Sequence, residues 1–337
     1  MIGLITTTLF YVGCYTDGKH PDGLHLVDVN HADGKIELRA SHAIDNPLYL
    51  AKSPDGAYLV TVERSGLAAF AVAPDGSLTK TDFVDLGAKA LCHLSFMPSG
   101  GSICWAAYVN GESGTVDFSG GKFGKAVKFC HSGSGPNLPR QDAAHCHAAV
   151  PEPDGKNFTV VDLGLDALFS YPQGRISATG PAGAGPRHLV FHPRGDMAFV
   201  VFELGNRIGS YRWSAKDGFR MLDSKPTLPD GWSGYNLDAA IRFTPDMKRV
   251  VVSNRGYDSL SVFDFDDKTG ALSFVNRSVM PGSWPRDFVF MPGTDIVLAT
   301  MERSGTLLTL RYDASTGAFV PLSTLGGFHR PVAALPR

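Results

Sequence analysis

Short apolar runs recur in pairs along the chain, and a turn built around proline separates the two runs of each pair. Six such turns can be recognised: Ser53-Pro54-Asp55-Gly56, Met97-Pro98-Ser99-Gly100, Glu152-Pro153-Asp154-Gly155, His192-Pro193-Arg194-Gly195, Thr244-Pro245-Asp246 and Met291-Pro292-Gly293. Successive turn prolines lie 44, 55, 40, 52 and 47 residues apart. A repeat of this length with several strands in each unit is typical of a β-propeller blade. The pattern therefore predicts an all-β propeller that forms a single domain over residues 1–337.

One repeat shows how the strands of a blade are arranged. Alternation of apolar and polar residues predicts an innermost strand over 48–53 and further strands over 57–62, 67–72 and 77–84. The tight turns between them include Asp75-Gly76, a dipeptide that favours a β-hairpin. The repeat therefore predicts a four-stranded antiparallel blade.

The two ends of the chain are predicted to complete the ring. The strands expected near 10–16, 23–29 and 35–41 lack an innermost strand before them, whereas the run over 328–335 has no partner. Joined in one sheet, these segments make one further blade and leave no open edge. We therefore predict a seven-bladed β-propeller of four-stranded antiparallel blades, closed by pairing of the N- and C-terminal strands. The alternative is six blades with unpaired ends.

Charge and cysteine content narrow the class of protein. A net charge of −2 gives no basic footprint for nucleic acid or an anionic membrane, so neither partner is expected. No apolar run reaches the length of about 18 residues that would predict a membrane span. The five cysteines are scattered and form no C-x-x-C pair, which argues against a disulfide framework and favours reduced thiols in the cytoplasm.

The N-terminal segment offers a different interpretation. Residues 1–14 are largely apolar and end in Val12-Gly13-Cys14, which resembles a lipoprotein cleavage site. However, the positively charged start of an export signal is missing, and the same segment fits a strand of the propeller. We therefore predict a cytoplasmic protein, with export as the alternative.

The repeat also predicts which residues lie at the ends of equivalent strands, because these residues stand at fixed distances from the turn prolines. The start of the innermost strand and the end of the second strand lie on the same face of a blade, opposite the proline turn. Six residues before the turn prolines stand Leu48, Cys92, His147, Arg187, Ala239 and Arg286, and ten residues after them stand Arg64, Tyr108, Leu163, Glu203, Arg255 and Glu302. These positions are predicted to meet at one mouth of the central channel. Many of them are charged, and buried charges without a ligand or a partner are costly, so the mouth is predicted to bind an anionic small molecule. The alternative is a polar rim with internal ion pairs.

The string His145-Cys146-His147 offers two imidazoles at the start of a strand, where alternation should send both to one face. Such a pair can bind a metal, but metal sites usually have three or more protein ligands, and no further ligand shows a matching spacing. We therefore predict no metal and interpret His147 as a proton-transfer group, with His145 as the other candidate. The predicted substrate contacts are His145, His188, Arg286, Arg64 and Glu302. No phosphate loop, nucleophile elbow or dinucleotide fingerprint is present, so no cofactor is predicted.

Several of these residues stand in strings that resemble the lactonase family of seven-bladed propellers, which includes 6-phosphogluconolactonases and 3-carboxy-cis,cis-muconate lactonising enzymes. The strings are Tyr11-Val12-Gly13-Cys14-Tyr15-Thr16, Ser53-Pro54-Asp55-Gly56, His145-Cys146-His147, Gly185-Pro186-Arg187-His188 with Phe191-His192-Pro193, Glu203-Leu204, Ser253-Asn254-Arg255-Gly256 and Pro285-Arg286-Asp287-Phe288. The resemblance covers nearly the whole chain. One departure is Trp284, which is bulkier than the family's usual residue before Pro285.

The resemblance implies an active site made of one histidine, two arginines and one glutamate. The matching residues here are His147, Arg187, Glu203 and Arg255. It implies hydrolysis of a sugar-acid lactone, most of all 6-phosphogluconolactone, with His147 or Glu203 as general base. Arg187 and Arg255 would stabilise the oxyanion, and Arg286 would hold a phosphate or carboxylate. The alternatives are a cycloisomerase that acts on an unsaturated polycarboxylate and a non-catalytic binding propeller.

Overall fold

The computed structural model describes residues 6–337, and this part of the chain forms 28 β-strands in seven four-stranded antiparallel sheets. Each sheet is one blade of a propeller. The prediction of seven blades is therefore confirmed. None of the described elements is a helix long and apolar enough to span a membrane. Residues 1–5 of the N-terminal segment lie outside the described part.

Every blade runs from its innermost to its outermost strand in chain order, except that the first blade borrows its innermost strand from the C-terminus. Blade 1 consists of β28 (Pro331–Pro336), β1 (Thr7–Cys14), β2 (Leu24–Asn30) and β3 (Ile36–His42). Blade 2 consists of β4 (Leu50–Lys52), β5 (Tyr58–Glu63), β6 (Gly66–Val72) and β7 (Leu78–Asp85). Blade 3 consists of β8 (Leu91–Phe96), β9 (Ser102–Ala107), β10 (Glu112–Ser119) and β11 (Lys122–Cys130). Blade 4 consists of β12 (Cys146–Pro151), β13 (Phe158–Asp162), β14 (Ala167–Tyr171) and β15 (Arg175–Thr179).

The remaining three blades repeat this order. Blade 5 consists of β16 (Pro186–Phe191), β17 (Met197–Phe202), β18 (Arg207–Ser214) and β19 (Gly218–Pro226). Blade 6 consists of β20 (Leu237–Phe243), β21 (Arg249–Arg255), β22 (Ser259–Phe265) and β23 (Leu272–Val279). Blade 7 consists of β24 (Pro285–Phe290), β25 (Ile296–Met301), β26 (Thr306–Asp313) and β27 (Ala318–Gly326).

The ring closes between the two ends of the chain. Strand β28 pairs with β1 in an antiparallel register that joins Phe10 to Pro336 and Gly13 to Ala333. The C-terminal strand thus supplies the innermost strand that the N-terminal unit lacks. This pairing excludes the alternative of six blades with unpaired ends.

The proline turns are built by short local hydrogen bonds. In blade 2, the Gly56 amide donates to the Ser53 carbonyl at 2.8 Å, and the Asp55 carboxylate accepts from the Ala57 amide at 3.0 Å. Gly56 has a φ of +72°, a left-handed conformation that glycine adopts without a steric penalty. In blade 6 the corresponding residue is Met247, with a φ of +59°.

The hydrophobic core lies between the blades. Seven clusters of buried apolar residues occur in the described chain, and each cluster joins one pair of neighbouring blades. For example, Val60 and Leu67 of blade 2 pack in the same cluster as Leu91 and Trp105 of blade 3. Each blade therefore buries both faces against its neighbours, which is why apolar runs dominate its inner strands.

A β-bulge recurs at the start of the innermost strands. In blade 4, Cys146 pairs with Asp162 and Ala148 pairs with Val161, so that His147 between them has no partner. The same register shift leaves Cys92, Arg187 and Arg286 unpaired in blades 3, 5 and 7. Bulges redirect a side chain, and here they occur at the positions that the repeat placed at the channel mouth.

Candidate active site

A cavity of about 590 Å³ lies at one mouth of the central channel. Its size suits a small metabolite. All seven blades contribute to its wall, through the starts of innermost strands, the ends of second strands and the segments beside them. The lining residues are Tyr15, Leu48, Ala90, Leu91, Cys92, Tyr108, Arg140, His147, Glu203, Leu237, Arg255, Trp284, Arg286, Glu302, Arg303 and Arg330.

Glu203 lies at the centre of the charged part of this wall, one residue beyond the end of β17. Its Oε1 accepts a hydrogen bond from Nη2 of Arg140 at 2.6 Å. Its Oε2 lies 2.9 Å from Nη2 of Arg255 and 3.0 Å from Nε of Arg187. The Arg187 contact is an ion pair without hydrogen-bond alignment, because that Nε has no aligned acceptor among residues 6–337. Three guanidinium groups therefore surround one buried carboxylate.

This surrounding charge decides the protonation state of Glu203. Burial by itself would raise the pKa of the carboxyl group, but the nearby charges of Arg255 and Arg187 outweigh it and hold the pKa well below its ordinary value. Glu203 is consequently ionised at neutral pH and has little tendency to accept a proton.

Arg187 and Arg255, the two arginines that contact Oε2 of Glu203, are held in place by backbone carbonyls. Nη1 of Arg187 donates to the Ala239 carbonyl at 2.7 Å, and Nη2 of Arg255 donates to the Asp238 carbonyl at 3.0 Å. Burial and the neighbouring charge of Arg255 lower the pKa of Arg187 to about 9, which still leaves it charged at neutral pH. The pair is thus held in place with both charges retained.

His147 approaches the same carboxylate from blade 4. Its Nε2 lies 3.9 Å from Oε2 of Glu203, and its Nδ1 is buried without a hydrogen-bond partner among the described residues. Burial and the charge of Arg187 lower the pKa of His147 well below the ordinary value, even though Glu203 opposes this. His147 is therefore a neutral imidazole at neutral pH, and its lowered pKa makes it a weaker base than an exposed histidine.

Arg140 and Tyr108 close the side of the cavity next to Glu203. Arg140 belongs to residues 131–145, the segment that joins blades 3 and 4, and its Nη2 also lies 3.3 Å from the Tyr108 hydroxyl. The buried side chain of Gln141 holds this segment, because its amide donates to Asp166 and to the Leu163 carbonyl, both at 2.8 Å. The segment is thus ordered so that one arginine reaches the site.

A second buried glutamate, Glu302, lies on the part of the wall that blade 7 supplies. Oε2 of Glu302 accepts from Nη1 of Arg286 at 3.0 Å, and its Oε1 accepts from Nη2 of Arg330 at 2.6 Å. Burial would raise the pKa of Glu302, but the charges of Arg286 and Arg330 outweigh this effect and lower it. This group is a charged wall of the cavity, separate from the contacts of Glu203.

The structure brings most of the predicted site residues together. His147, Glu203, Arg255, Arg286 and Glu302 line the cavity. Arg187 lies directly behind Glu203 without lining the cavity itself.

Three predicted substrate contacts lie elsewhere. Arg64 has a φ of +54° and turns outward, with 73% of its side chain exposed and Asp45 at 3.5 Å. His145 stacks behind Tyr108 with ring centres 4.3 Å apart, because the bulge at His147 breaks the alternation that would send both histidines to one face. His188 lies in the channel beside His147, with ring centres 5.4 Å apart. None of these three side chains lines the cavity.

The spacing from the turn prolines did not predict four polar residues of the cavity wall. Tyr15 and Arg330 come from blade 1, where no proline turn marks the register, although Tyr15 follows β1 just as Glu203 follows β17. Arg303 directly follows Glu302, which the spacing from the turn prolines did predict. Arg140 lies in the longest interval between turn prolines, 55 residues, and this extra length was the one signal for an added segment.

Cys92 is the cysteine of the cavity wall, and it does not offer a nucleophile. Burial raises the pKa of its thiol to about 12, so the reactive thiolate is not formed at neutral pH. Two groups with metal-ligand spacing occur within residues 6–337, namely Asp17 with His20 and His329, and His131 with Cys146 and Asp162. Neither group includes a residue of the cavity wall.

Fold and site together define a seven-bladed β-propeller with a cationic cavity at one channel mouth. Residues 9–335 match the family model described as "Lactonase, 7-bladed beta-propeller". The chain therefore belongs to the lactonase family, and it is an enzyme of the lactonase class.

Individual relatives agree with this assignment. The 6-phosphogluconolactonase of Bacillus subtilis (strain 168) is 30% identical over 343 residues, which cover 97% of this chain and 98% of the relative. The 6-phosphogluconolactonase of Formosa agariphila is 27% identical and covers 91% of this chain and 93% of its own length. The solved structure of a periplasmic gluconolactonase from Pseudomonas aeruginosa superposes with a TM-score of 0.90 at 25% identity and covers 98% of this chain and 99% of that chain.

Proposed function

We propose that the protein hydrolyses the lactone of a phosphorylated sugar acid, 6-phosphogluconolactone, to 6-phosphogluconate. The observation that carries the proposal is the group of His147, Glu203 and Arg255 on the wall of a cationic cavity. The two relatives named 6-phosphogluconolactonase support the choice of substrate.

The general base in this proposal is His147 rather than Glu203. Glu203 commits its two carboxylate oxygens to three arginines, whereas the neutral imidazole of His147 keeps a lone pair although burial lowers its pKa. Water beside Nε2 of His147 gives its proton to that nitrogen as its oxygen attacks the lactone carbonyl. The Glu203 carboxylate, 3.9 Å from the same nitrogen, then stabilises the imidazolium through its negative charge.

Arg255 is the proposed oxyanion stabiliser. It lines the cavity and is fixed by the Leu237 and Asp238 carbonyls, so it needs no reorganisation when charge develops on the carbonyl oxygen. Arg187 acts from behind Glu203 by adding positive charge. The tetrahedral intermediate then collapses with cleavage of the bond between the carbonyl carbon and the ring oxygen. The proton on His147 passes to the leaving ring oxygen, which yields the open acid and restores the neutral imidazole.

A panel of substrates tests this proposal. Purified protein is assayed in a pH-stat for acid release above the spontaneous rate with 6-phosphogluconolactone, glucono-δ-lactone and 3-carboxy-cis,cis-muconate, the last followed by ultraviolet absorbance. We expect acid release with the first compound and no cyclisation of the third. Cyclisation without lactone opening would replace the hydrolase by the cycloisomerase, and no reaction with any compound would refute the proposal.

We also propose that the protein is cytoplasmic. All five cysteines are free thiols in the structure, in keeping with a reducing compartment. The Pseudomonas aeruginosa protein is named as periplasmic, which makes the periplasm the alternative location. Fractionation of cells into cytoplasm and periplasm, with an antibody against the protein, tests this point, and recovery in the periplasmic fraction would contradict it.

A further inference from the structure

The cavity wall carries more positive charge than its own acidic residues neutralise. Five arginines line it, namely Arg140, Arg255, Arg286, Arg303 and Arg330, against the two carboxylates of Glu203 and Glu302. The surplus is three positive charges, or four when Arg187 behind Glu203 is included. The oxyanion of a reacting lactone compensates one of them. At least two positive charges therefore remain for another part of the substrate.

Arg303 is the arginine without an acidic partner. Among residues 6–337, each of the other four lining arginines has a guanidinium nitrogen within 4.0 Å of a carboxylate oxygen. Its guanidinium carbon lies 3.4 Å from the centre of the Trp284 ring. Stacking on the ring occupies the face of the guanidinium group and leaves its N–H groups free at the edge.

Trp284 is itself firmly placed as the platform for Arg303. Its backbone amide donates to Asp258 at 2.8 Å, and its carbonyl accepts from the Glu302 amide at 2.9 Å. It has a φ of +70°, a strained conformation for a bulky residue, and its side chain is buried. The stacked ring of Tyr235 covers it at a centre-to-centre distance of 6.0 Å.

Arg330 repeats this arrangement in blade 1. Its guanidinium carbon lies 4.0 Å from the centre of the Tyr15 ring, and Glu302 accepts from its Nε and Nη2. Its Nη1 is the part of the guanidinium group that these contacts leave unused. Arg330 and Trp284 also occupy matching places, since each precedes the first proline of an innermost strand and has a positive φ. Blades 7 and 1 thus each hold one arginine flat on an aromatic ring at the rim.

We propose that Arg303, assisted by Arg330, forms the subsite for the phosphate group of the substrate and so determines specificity for a phosphorylated lactone. The proposal rests on the proposed function, because it assigns the far end of the same substrate. Arg140 and Arg255 serve the reacting end beside Glu203, whereas Arg303 and Arg330 belong to blades 7 and 1. Arg255 also lies 5.6 Å from the centre of the Trp284 ring, so the phosphate subsite adjoins the reacting end at this ring. A phosphomonoester carries close to two negative charges at neutral pH and presents three acceptor oxygens to planar donors. It therefore matches the surplus charge better than a hydroxyl or a single carboxylate.

The test compares Arg303→Met with the wild-type protein. Methionine keeps an apolar side chain over Trp284 and removes the charge. The matched control is Arg311→Met, which removes a half-exposed arginine of the same blade outside the cavity. Three lactones serve as substrates: 6-phosphogluconolactone, glucono-δ-lactone and a glucaric acid lactone with a carboxylate in place of the phosphate-bearing carbon. Binding of the products 6-phosphogluconate and gluconate is measured in parallel by calorimetry.

We expect Arg303→Met to lower kcat/KM on the phosphorylated lactone by about 10- to 100-fold, mainly through KM, and to change it less than 3-fold on glucono-δ-lactone. Arg311→Met should change neither value. Equal losses on both lactones, or no loss on either, would overturn the subsite. A wild-type preference for the carboxylate lactone would overturn the assignment to phosphate.

The same measurements separate failure of the subsite from failure of the proposed function. If wild-type protein opens phosphorylated and unphosphorylated lactones equally well, hydrolysis stands and the phosphate subsite is wrong. If it opens no lactone, hydrolysis is wrong, and calorimetry then decides the subsite. Tighter binding of 6-phosphogluconate than of gluconate, lost in Arg303→Met, would support the phosphate subsite, and equal binding would overturn it.

Discussion

Replacing Glu203 by glutamine examines how the charged cluster acts on His147. The substitution keeps the size of the side chain and removes its charge. At 3.9 Å and an effective dielectric constant of about 20, the carboxylate stabilises an imidazolium at His147 by roughly 4 kcal/mol. Because the imidazolium forms in the proposed reaction, Glu203→Gln should lower kcat by about three powers of ten. The assay is the initial rate of lactone opening at saturating substrate and neutral pH, corrected for spontaneous hydrolysis.

Glu302→Gln provides the matched control. Glu302 is also a buried glutamate of the cavity wall, but it pairs with Arg286 and Arg330 instead of His147. Removing one partner of a buried ion pair costs about 3–5 kcal/mol, so both variants should unfold at lower urea concentration. Only Glu203→Gln should show the large loss in kcat, whereas Glu302→Gln should change kcat less than tenfold. A kcat for Glu203→Gln within tenfold of wild type, or an equal kcat loss in Glu302→Gln, would refute the reasoning.

Two further predictions concern stability. Burial and, to a smaller extent, the charges of Arg242 and Arg187 lower the pKa of His93 to about 3. Between pH 6.5 and pH 3, this histidine is therefore protonated in the unfolded chain but not in the folded protein. Stability should therefore fall as the pH drops below 6.5, by about 2 kcal/mol at pH 5 from this residue. His93→Gln should remove that part of the pH dependence in urea unfolding. An unchanged pH dependence in His93→Gln would contradict the assignment. Met247→Gly should raise the free energy of unfolding by about 1 kcal/mol, because glycine adopts the left-handed conformation of this position without strain. Gly56→Met at the matching turn should lower the free energy of unfolding by a similar amount, because the added side chain meets open space and only the backbone strain changes. A destabilised Met247→Gly, or an unaffected Gly56→Met, would show that φ does not control these turns.

The fold was predictable because each blade carries its own local signals. The proline turns mark hairpins that need no distant contact, and the predicted strand over 67–72 differs by one residue from β6 (Gly66–Val72). Ring closure followed from counting strands, since the N-terminal unit was one short. What the sequence did not reveal is the bulge at the start of the innermost strands, because a register shift depends on the pairing of two strands.

The candidate site was predictable only as far as the backbone decides it. Strand ends placed Glu203 and Arg255 at the channel mouth, but the direction of a long side chain depends on its neighbours. Arg64 occupies an equivalent strand end and turns outward to Asp45. Arg303 follows a predicted position and turns inward because it stacks on Trp284. Arg140 reaches Glu203 through an irregular segment whose path a repeat pattern does not describe.

The most direct test of the account is the rate of 6-phosphogluconolactone opening by His147→Gln. Glutamine retains a polar side chain but does not act as a base near neutral pH. We predict a kcat about 100- to 10,000-fold below that of the wild-type protein, with a KM changed only slightly, because His147 takes the proton of the attacking water. A kcat for His147→Gln within tenfold of wild type would contradict the central claim.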